Sequence, residues 1–511
     1  MREGPRGAGA ARCRCRGGAS MYAYVQGLLG GLNGLFSDYI VAPINAVLFF
    51  DLAFWDNGAE AEIVLPAVVV WLIFGAVFFT LRLQFVNFRL FGHAIDCVRG
   101  RYTDPSETGE ISHFQALSAA LSATVGMGNI AGVAVAVGVG GPGAIFWMVM
   151  AGLLGMSSKF AECSLGQKYR HVREDGHISG GPMVYLRDGL RELGWTKLGS
   201  WLSVIFALMC IGGSFGGGNM IQSNQAFAIV RDQIPWLAEH TRLGGALFGF
   251  AMAGLVGLVI VGGIKRIGEV AAFLVPGMCL LYVLAGAVIL LANAADVPHA
   301  LGVIVGSAFS WKAGFGGFIG VLIQGFRRAA FSNEAGVGSA SIAHAAARTN
   351  EPLREGIVAL LEPFIDTIVV CTMTGLVIVV TGAYANPEAG EKIAMTAYAF
   401  GTVLPWYPVV LTISAVLFAF STMISWSYYG EQCWEHLFGS RSLIVYRILF
   451  LLFCWAGAVF DANSVFDFGD LMILGMAFPN ILGVVMLSGK LRADLKVYMT
   501  RLEAGEFLRY H

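Results

Sequence analysis

Two glycine-rich interruptions inside long apolar runs are where this chain could do chemistry. The first is Thr124-Val125-Gly126-Met127-Gly128-Asn129 and the second is Ser332-Asn333-Glu334-Ala335-Gly336-Val337-Gly338. Glycine tolerates the backbone angles of an unwound segment, and unwound backbone is stable at membrane depth only where it is buried or lines a cavity. At Gly126-Met127-Gly128-Asn129 the freed amides can hold a carboxylate and the freed carbonyls a cation, with the positive end of a half-helix facing the break. Close helix packing through small residues accounts for the same glycines equally well. A dinucleotide site at Gly126-x-Gly128 is disfavoured, because the strand and turn it requires are missing.

Further polar groups fall within segments that read as apolar helix. Phe420-Ser421-Thr422-Met423-Ile424-Ser425-Trp426 carries adjacent hydroxyls at Ser421 and Thr422, two hard oxygens for a sodium ion whose other ligands would be carbonyls of the first interruption. Thr422 and Trp426 are four apart and share a helix face. The competing expectation is that the hydroxyls bond back to the preceding turn, the commoner fate of Ser and Thr in membrane helices. Gly216-Gly217-Gly218-Asn219-Met220-Ile221-Gln222 sets Asn219 and Gln222 three apart, able to point into one cavity. Buried amides need partners; a ligand or another helix would serve, and the clustering favours a ligand.

The ionisable residues in apolar segments are Glu162, Arg327, Arg328, Glu334, Glu362 and Asp366, each a functional candidate by default. Glu162 is expected to form a structural ion pair with Lys159 or Lys168, and Arg327 or Arg328 a gate or latch with Glu334. Asp366 is the carboxylate placed for proton coupling, while His93 and His344 read as interfacial. No His, Cys and carboxylate grouping has nucleophile–base or metal spacing, which argues against an enzyme.

Holding these groups in place requires a membrane. Hydrophobic residues make up 56% of the 511 and charged residues 13%, too apolar for water to cover the surface. The formal charge of -1 conceals segregated cations, a pattern that argues for membrane topology and against a nucleic-acid partner. Nine scattered cysteines indicate neither a disulfide framework nor a zinc site. Eleven spans are expected near 63–85, 115–138, 143–167, 201–229, 245–263, 268–293, 314–345, 356–382, 405–430, 443–460 and 468–489. Tyr39 to Trp55, carrying Pro43 and Asp51, is expected to lie in the interface or re-enter. Residues 1–38 are expected to be a disordered tail without a signal-peptide core, with Met21 a second candidate start. Residues 39–490 form one transmembrane domain, and 491–511 a cytoplasmic tail.

Basic residues at Arg82 to Arg101, Lys168 to Lys197, Lys265 and Arg266, Arg348 and Arg354, Arg441 and Lys490 to Arg501 mark alternate connections as cytoplasmic. The connections Asp56 to Glu62 and Asp461 to Asp470 are acidic or sparse. The N-terminus is thus expected outside and the C-terminus inside. Without the first span, ten remain, five in each half (about 115–293 and 314–489), so the halves are inverted repeats and each begins with an interrupted span.

The motifs together resemble the alanine or glycine:cation symporter family of the amino acid–polyamine–organocation superfamily. The resemblance rests on Ser122 to Val133, Gly140-Gly141-Pro142-Gly143-Ala144-Ile145-Phe146-Trp147, Lys159-Phe160-Ala161-Glu162, Phe331 to Ser339, and Ser421-Thr422-x-x-x-Trp426-Ser427-Tyr428-Tyr429-Gly430, spread over residues 40 to 490. It implies an all-α, leucine-transporter-like fold of 5+5 inverted repeats plus an extra N-terminal helix, in a bacterial inner membrane. It also implies sodium-driven uptake of a small neutral amino acid, alanine or glycine, by alternating access and as a monomer. Gly126, Gly128, Asn129, Asn219, Gln222, Thr422 and Trp426 would face the substrate, the indole favouring a small side chain. Backbone oxygens of Ser122 and Val125 with hydroxyls of Ser421 and Thr422 would hold sodium. Arg328, Glu334 and Asp366 are the gating or coupling candidates. No cofactor is implied beyond the co-transported ion. Met127 replaces a residue commonly as small as Thr, and Arg328-Ala329-Ala330-Phe331 replaces Arg-Gly-Leu-Phe, which bears on selectivity. Proton coupling through Asp366 or Glu334, or a passive channel, are the alternatives.

Overall fold

A computed structural model describes residues 42–53, 64–104, 106–174, 176–310, 314–460 and 462–510. The expectations for the N-terminal tail, and for the acidic loop from Asp56 to Glu62, lie outside the described residues. Among the described residues helix dominates, and two isolated strand bridges aside, the exception to an all-α reading is a small hairpin, His171–Val172 paired with Ile178–Ser179.

Among the described residues eight helices are long and apolar enough to cross a bilayer, and the bent pair His113–Thr124 and Gly128–Gly140 makes a ninth. The other two expected spans correspond to Ala67–Arg82, 16 residues long, and to Gly314–Asn333 followed by Ala340–Ala345. Tyr407–Phe438 and Gly143–Lys168 are about two-thirds buried over their apolar windows, against about one-third for Gly263–Ala292. The first two are central and the last peripheral. Phe250, Phe273, Leu258 and Leu291 project outward from such peripheral helices. For an apolar chain, that outer surface is matched by lipid rather than water.

Local chemistry starts and stops these helices. Ser112 and Gln115 form a reciprocal capping box at the start of His113–Thr124. Pro182 and Pro352 occupy first-turn positions, where a missing N–H costs nothing. The Tyr39 to Trp55 stretch contributes a helix of only seven residues, Ala42–Leu48, too short to span. Asp51 then turns the chain, its carboxylate accepting from the amides of Ala53 at 2.9 Å and Leu65 at 2.8 Å.

The last helix runs unbroken from Ala477 to Glu503, so the tail expected from 491 begins as a continuation of that helix. Beyond it, the Tyr510 amide donates to the Arg101 carbonyl at 2.9 Å. The basic connections converge on one end of the bundle, where Lys168 meets Asp494 at 2.5 Å, Lys490 meets Glu192 at 2.6 Å and Arg501 meets Glu351 at 2.8 Å.

Candidate functional site

The first broken span loses its helix where the glycines stand. His113–Thr124 ends at Val125, whose backbone is extended, and Gly128–Gly132 resumes as a wide π turn bent by 52° from the first half. The second break follows Asn333, with positive φ at Glu334, Gly336 and Gly338. A left-handed backbone is ordinary for glycine and strained for Glu334. Two further spans hold π turns, Gly216–Met220 and Phe364–Cys371. Such turns often mark functional sites, and sequence periodicity did not announce them.

These irregular segments meet around the first break. The Gly126 amide donates to Asn129 Oδ1 at 2.8 Å, and the Met127 amide to Gln222 Oε1 at 3.2 Å. A Cβ on Gly126 would lie 2.5 Å from Thr422 Oγ1, and one on Gly128 would lie 3.3 Å from Ser332 Cα. Both glycines are therefore needed for close approach. Thr422 Oγ1 is buried with no hydrogen-bond partner, an arrangement costing about 1–3 kcal/mol unless a ligand answers it. Ser122 donates its hydroxyl to the Ser421 carbonyl at 2.6 Å, stitching the first broken span to the ninth. Val125 is fully buried between them in sequence, at the last turn before the break.

Three expectations need correction here. The Ser421 hydroxyl donates back to the Phe418 carbonyl at 2.9 Å, as membrane-helix hydroxyls commonly do, rather than standing open as the Thr422 hydroxyl does. Asn219 does not join Gln222; its amide donates to the Phe450 carbonyl at 2.6 Å on the tenth span. The π turn supplies the reason, since its wider winding takes residues three apart off a common face. Asn129 is already engaged, its Nδ2 donating to Asp366 Oδ1 at 2.6 Å and its oxygen taking Gly126.

Asp366 sits directly behind the first break and ties it to the second. It accepts from Asn129, from Ser332 Oγ at 2.9 Å and from Thr367 Oγ1 at 2.7 Å. Carbonyls freed by the π turn are also answered: Thr374 donates to Asn129 O at 2.9 Å and Thr396 to Ile130 O at 3.0 Å. Single hydroxyls in apolar helices have no spacing signature, which is why Thr367, Thr374 and Thr396 escape sequence reading, while Ser332 reads only as part of the second interruption. Trp426 lies against Gly218, where no side chain would fit, and donates its indole N–H to Glu334 at 3.0 Å.

Three charge pairings also differ from the sequence reading. Arg327 and Arg328 both meet Asp470 rather than Glu334, which is taken by Trp426 and Ser339. Lys159 pairs with Glu362 at 3.0 Å, leaving Glu162 to the Asn480 amide at 2.8 Å. His344 is wholly buried rather than interfacial, bridging Glu355 and Glu362 at 2.6 Å each, and Glu355 also holds His113. Lys159, Glu362, His344, Glu355 and His113 thus form one buried chain of ionisable groups. Cys163, His344 and Glu362 approach within 4.8 Å. His344 nevertheless spends both ring nitrogens on carboxylates, so it has none left for a metal.

Contacts join the chain on either side of the breaks. At the basic end, the Glu110 amide donates to Ala346 O and the Arg348 amide to Ile111 O, each at 2.8 Å. Gly109 makes this possible, since a Cβ there would lie 2.2 Å from Arg348 Cα. Arg170 locks the join by donating to the carbonyls of Thr108, Ala345, Ala347 and Thr349. Beyond the breaks in the other direction, Asp470 receives Arg327 and Arg328.

Apolar helices broken side by side, with buried polar groups between the breaks, fit the class of membrane carriers for small polar solutes. Comparison with known proteins names the family. The family model described as the sodium:alanine symporter family matches residues 55–510. The sodium/alanine symporter AgcS of Methanococcus maripaludis is 42% identical, covering 85% of this chain and 94% of that one. An uncharacterized transporter of Haemophilus influenzae is 39% identical over 84% of this chain and 92% of its own length. The crystal structure of MhsT in complex with L-phenylalanine aligns at 14% identity with a TM-score of 0.49, covering 75% of this chain and 99% of that one. The chain belongs to the sodium:alanine symporter family. It is a multi-pass membrane protein that carries out cation-coupled amino-acid symport, and it is not an enzyme.

Proposed function

We propose that this carrier couples sodium entry to the uptake of alanine or glycine by alternating access between two inverted five-helix repeats, as a monomer in a bacterial inner membrane with its N-terminus outside. The observation that carries the reading is the buried, unpartnered Thr422 hydroxyl against Gly126, beside the Ser122–Ser421 bond. Thr422 Oγ1 and backbone oxygens at Ser122 and Val125 would hold sodium. Sodium bound there pulls the first break onto the ninth span and sets the Gly126 and Met127 amides, held by Asn129 and Gln222 in this structure, to pass to the substrate carboxylate. Gln222 and Trp426 bound the remaining space and keep the side chain small. Because the ion favours one arrangement of the break, each ligand raises the affinity for the other.

Uptake of labelled alanine and glycine into proteoliposomes tests this, with a sodium gradient compared against equal potassium and pH gradients. Accumulation driven by sodium alone is expected; equilibration without accumulation would overturn it. Proton coupling is the second reading, favoured by Asp366 touching both breaks through Asn129 and Ser332. Accumulation driven by the pH gradient alone would select it.

A further inference from the structure

At the basic end, the turn after Ala67–Arg82 and the extension of the last helix flank an open cavity of about 660 Å3. Arg82 and Arg89 line it from one side, Arg492 and Lys496 from the other, and Glu503 is its sole acidic residue. Among the described residues none of these four cations has an ion-pair or hydrogen-bond partner. Nearby cations behave differently: Lys168, Lys490 and Arg501 are each neutralised by a carboxylate within 2.8 Å. The last helix thus sorts its charges, pairing Lys490 and Arg501 outside the cavity and leaving Arg492 and Lys496, four apart on one face, directed at it.

The backbone helps to build the cavity. Gln84 and Phe85 are consecutive non-glycine residues in left-handed conformation, with φ of 55° and 56°. That strained corner returns the chain so that Arg89 joins Arg82 at the cavity. Opposite Arg82 stands Gly489, whose absent side chain leaves space under the guanidinium. Beside the cavity Leu81, Phe85 and Phe88 are 61%, 48% and 61% exposed. They continue the apolar surface of a helix that enters the bilayer, which sets the cavity at headgroup level.

Uncompensated guanidinium groups select phosphate oxygens, which they can bind bidentately. Flanking apolar side chains select a phosphate that carries acyl chains. We propose that this cavity binds the phosphate headgroup of an anionic glycerophospholipid and so fastens the extra N-terminal helix to the last one. The site is separate from the breaks and holds whichever cation or amino acid is carried.

Native mass spectrometry of the full-length protein, equilibrated with equal phosphatidylglycerol and phosphatidylcholine, reads this directly. Phosphatidylglycerol is expected to be retained about tenfold over phosphatidylcholine, by the usual contribution of interfacial cations. Arg82→Gln with Arg492→Gln should bring the two lipids near parity, Arg82→Lys with Arg492→Lys should keep part of the preference, and Lys168→Gln with Lys490→Gln should leave it unchanged. Equal retention by the unaltered protein, or loss of preference in the Lys168/Lys490 variant as large as in the Arg82/Arg492 variant, would overturn the site. Displacement of the lipid by excess inorganic phosphate would overturn the lipid assignment in favour of a soluble anion.

Discussion

Gly126 and Thr422 are the residues on which the transport chemistry turns. Gly126→Ala would drive a methyl group to 2.5 Å from Thr422 Oγ1, so the break would have to shift. Uptake is expected to fall at least about tenfold while the protein stays in the membrane, a change of roughly 1.4 kcal/mol in the barrier. Thr422→Val keeps the shape and removes the open hydroxyl. It is expected to raise the sodium concentration for half-maximal uptake by about tenfold, roughly 1.4 kcal/mol for one lost oxygen ligand, with alanine binding at saturating sodium little changed. Unaltered sodium dependence in Thr422→Val would move the ion elsewhere. Ser421→Ala should be mild by comparison, because its hydroxyl serves its own helix.

Between elements, buried charge and interfacial contacts hold the helices in register. Lys159→Met would strand Glu362 among His344 and Glu355 without its ammonium, and breaking a buried pair from one side costs about 3–5 kcal/mol. Thermal unfolding in detergent should show a large drop, and the double variant Lys159→Met, Glu362→Gln should recover much of it; a double variant no better than the single would mean that the pair is not the source. Outside the membrane, His177 joins the small hairpin to Glu110, just before the first broken span. The Glu110 hydrogen bond raises the imidazole pKa, burial opposes the rise, and Glu110 and Glu435 add to it. Because the folded value is raised, the contribution is fully present below the unfolded value of about 6.5 and is lost as pH climbs through the folded one. The melting-temperature gap between the protein and His177→Gln should therefore be wider at pH 6 than at pH 9, and a constant gap would refute the linkage.

For the whole molecule, two closures with different chemistry imply two ways of biasing the carrier. Arg170→Ala removes the donor that gathers four carbonyls at the basic end, and Asp470→Asn removes the charge that gathers Arg327 and Arg328. Cys371, within 3.4 Å of Ser332 and Asn129, is a native reporter between the breaks. In oriented vesicles, its alkylation by a membrane-impermeant reagent should rise from the basic side in Arg170→Ala and from the opposite side in Asp470→Asn. Equal labelling from both sides in either variant would argue against separate closures.

Most span positions, the two glycine breaks, the basic end and the family were legible in the chain itself. Hydrophobic runs, glycine's backbone freedom and charge segregation are local properties, and they survive without knowledge of neighbours. Partner identity was not legible in that way. Asp470 for Arg328, Glu362 for Lys159, Phe450 for Asn219 and Trp426 for Glu334 are contacts between residues far apart in sequence, selected by which helix faces which. The π turns at Gly216–Met220 and Phe364–Cys371 rotated side chains away from the faces that regular helical spacing assigns. Only the tertiary structure could decide that Thr422 keeps an open hydroxyl while Ser421 spends its own, because adjacent residues on a helix point about 100° apart and meet different neighbours.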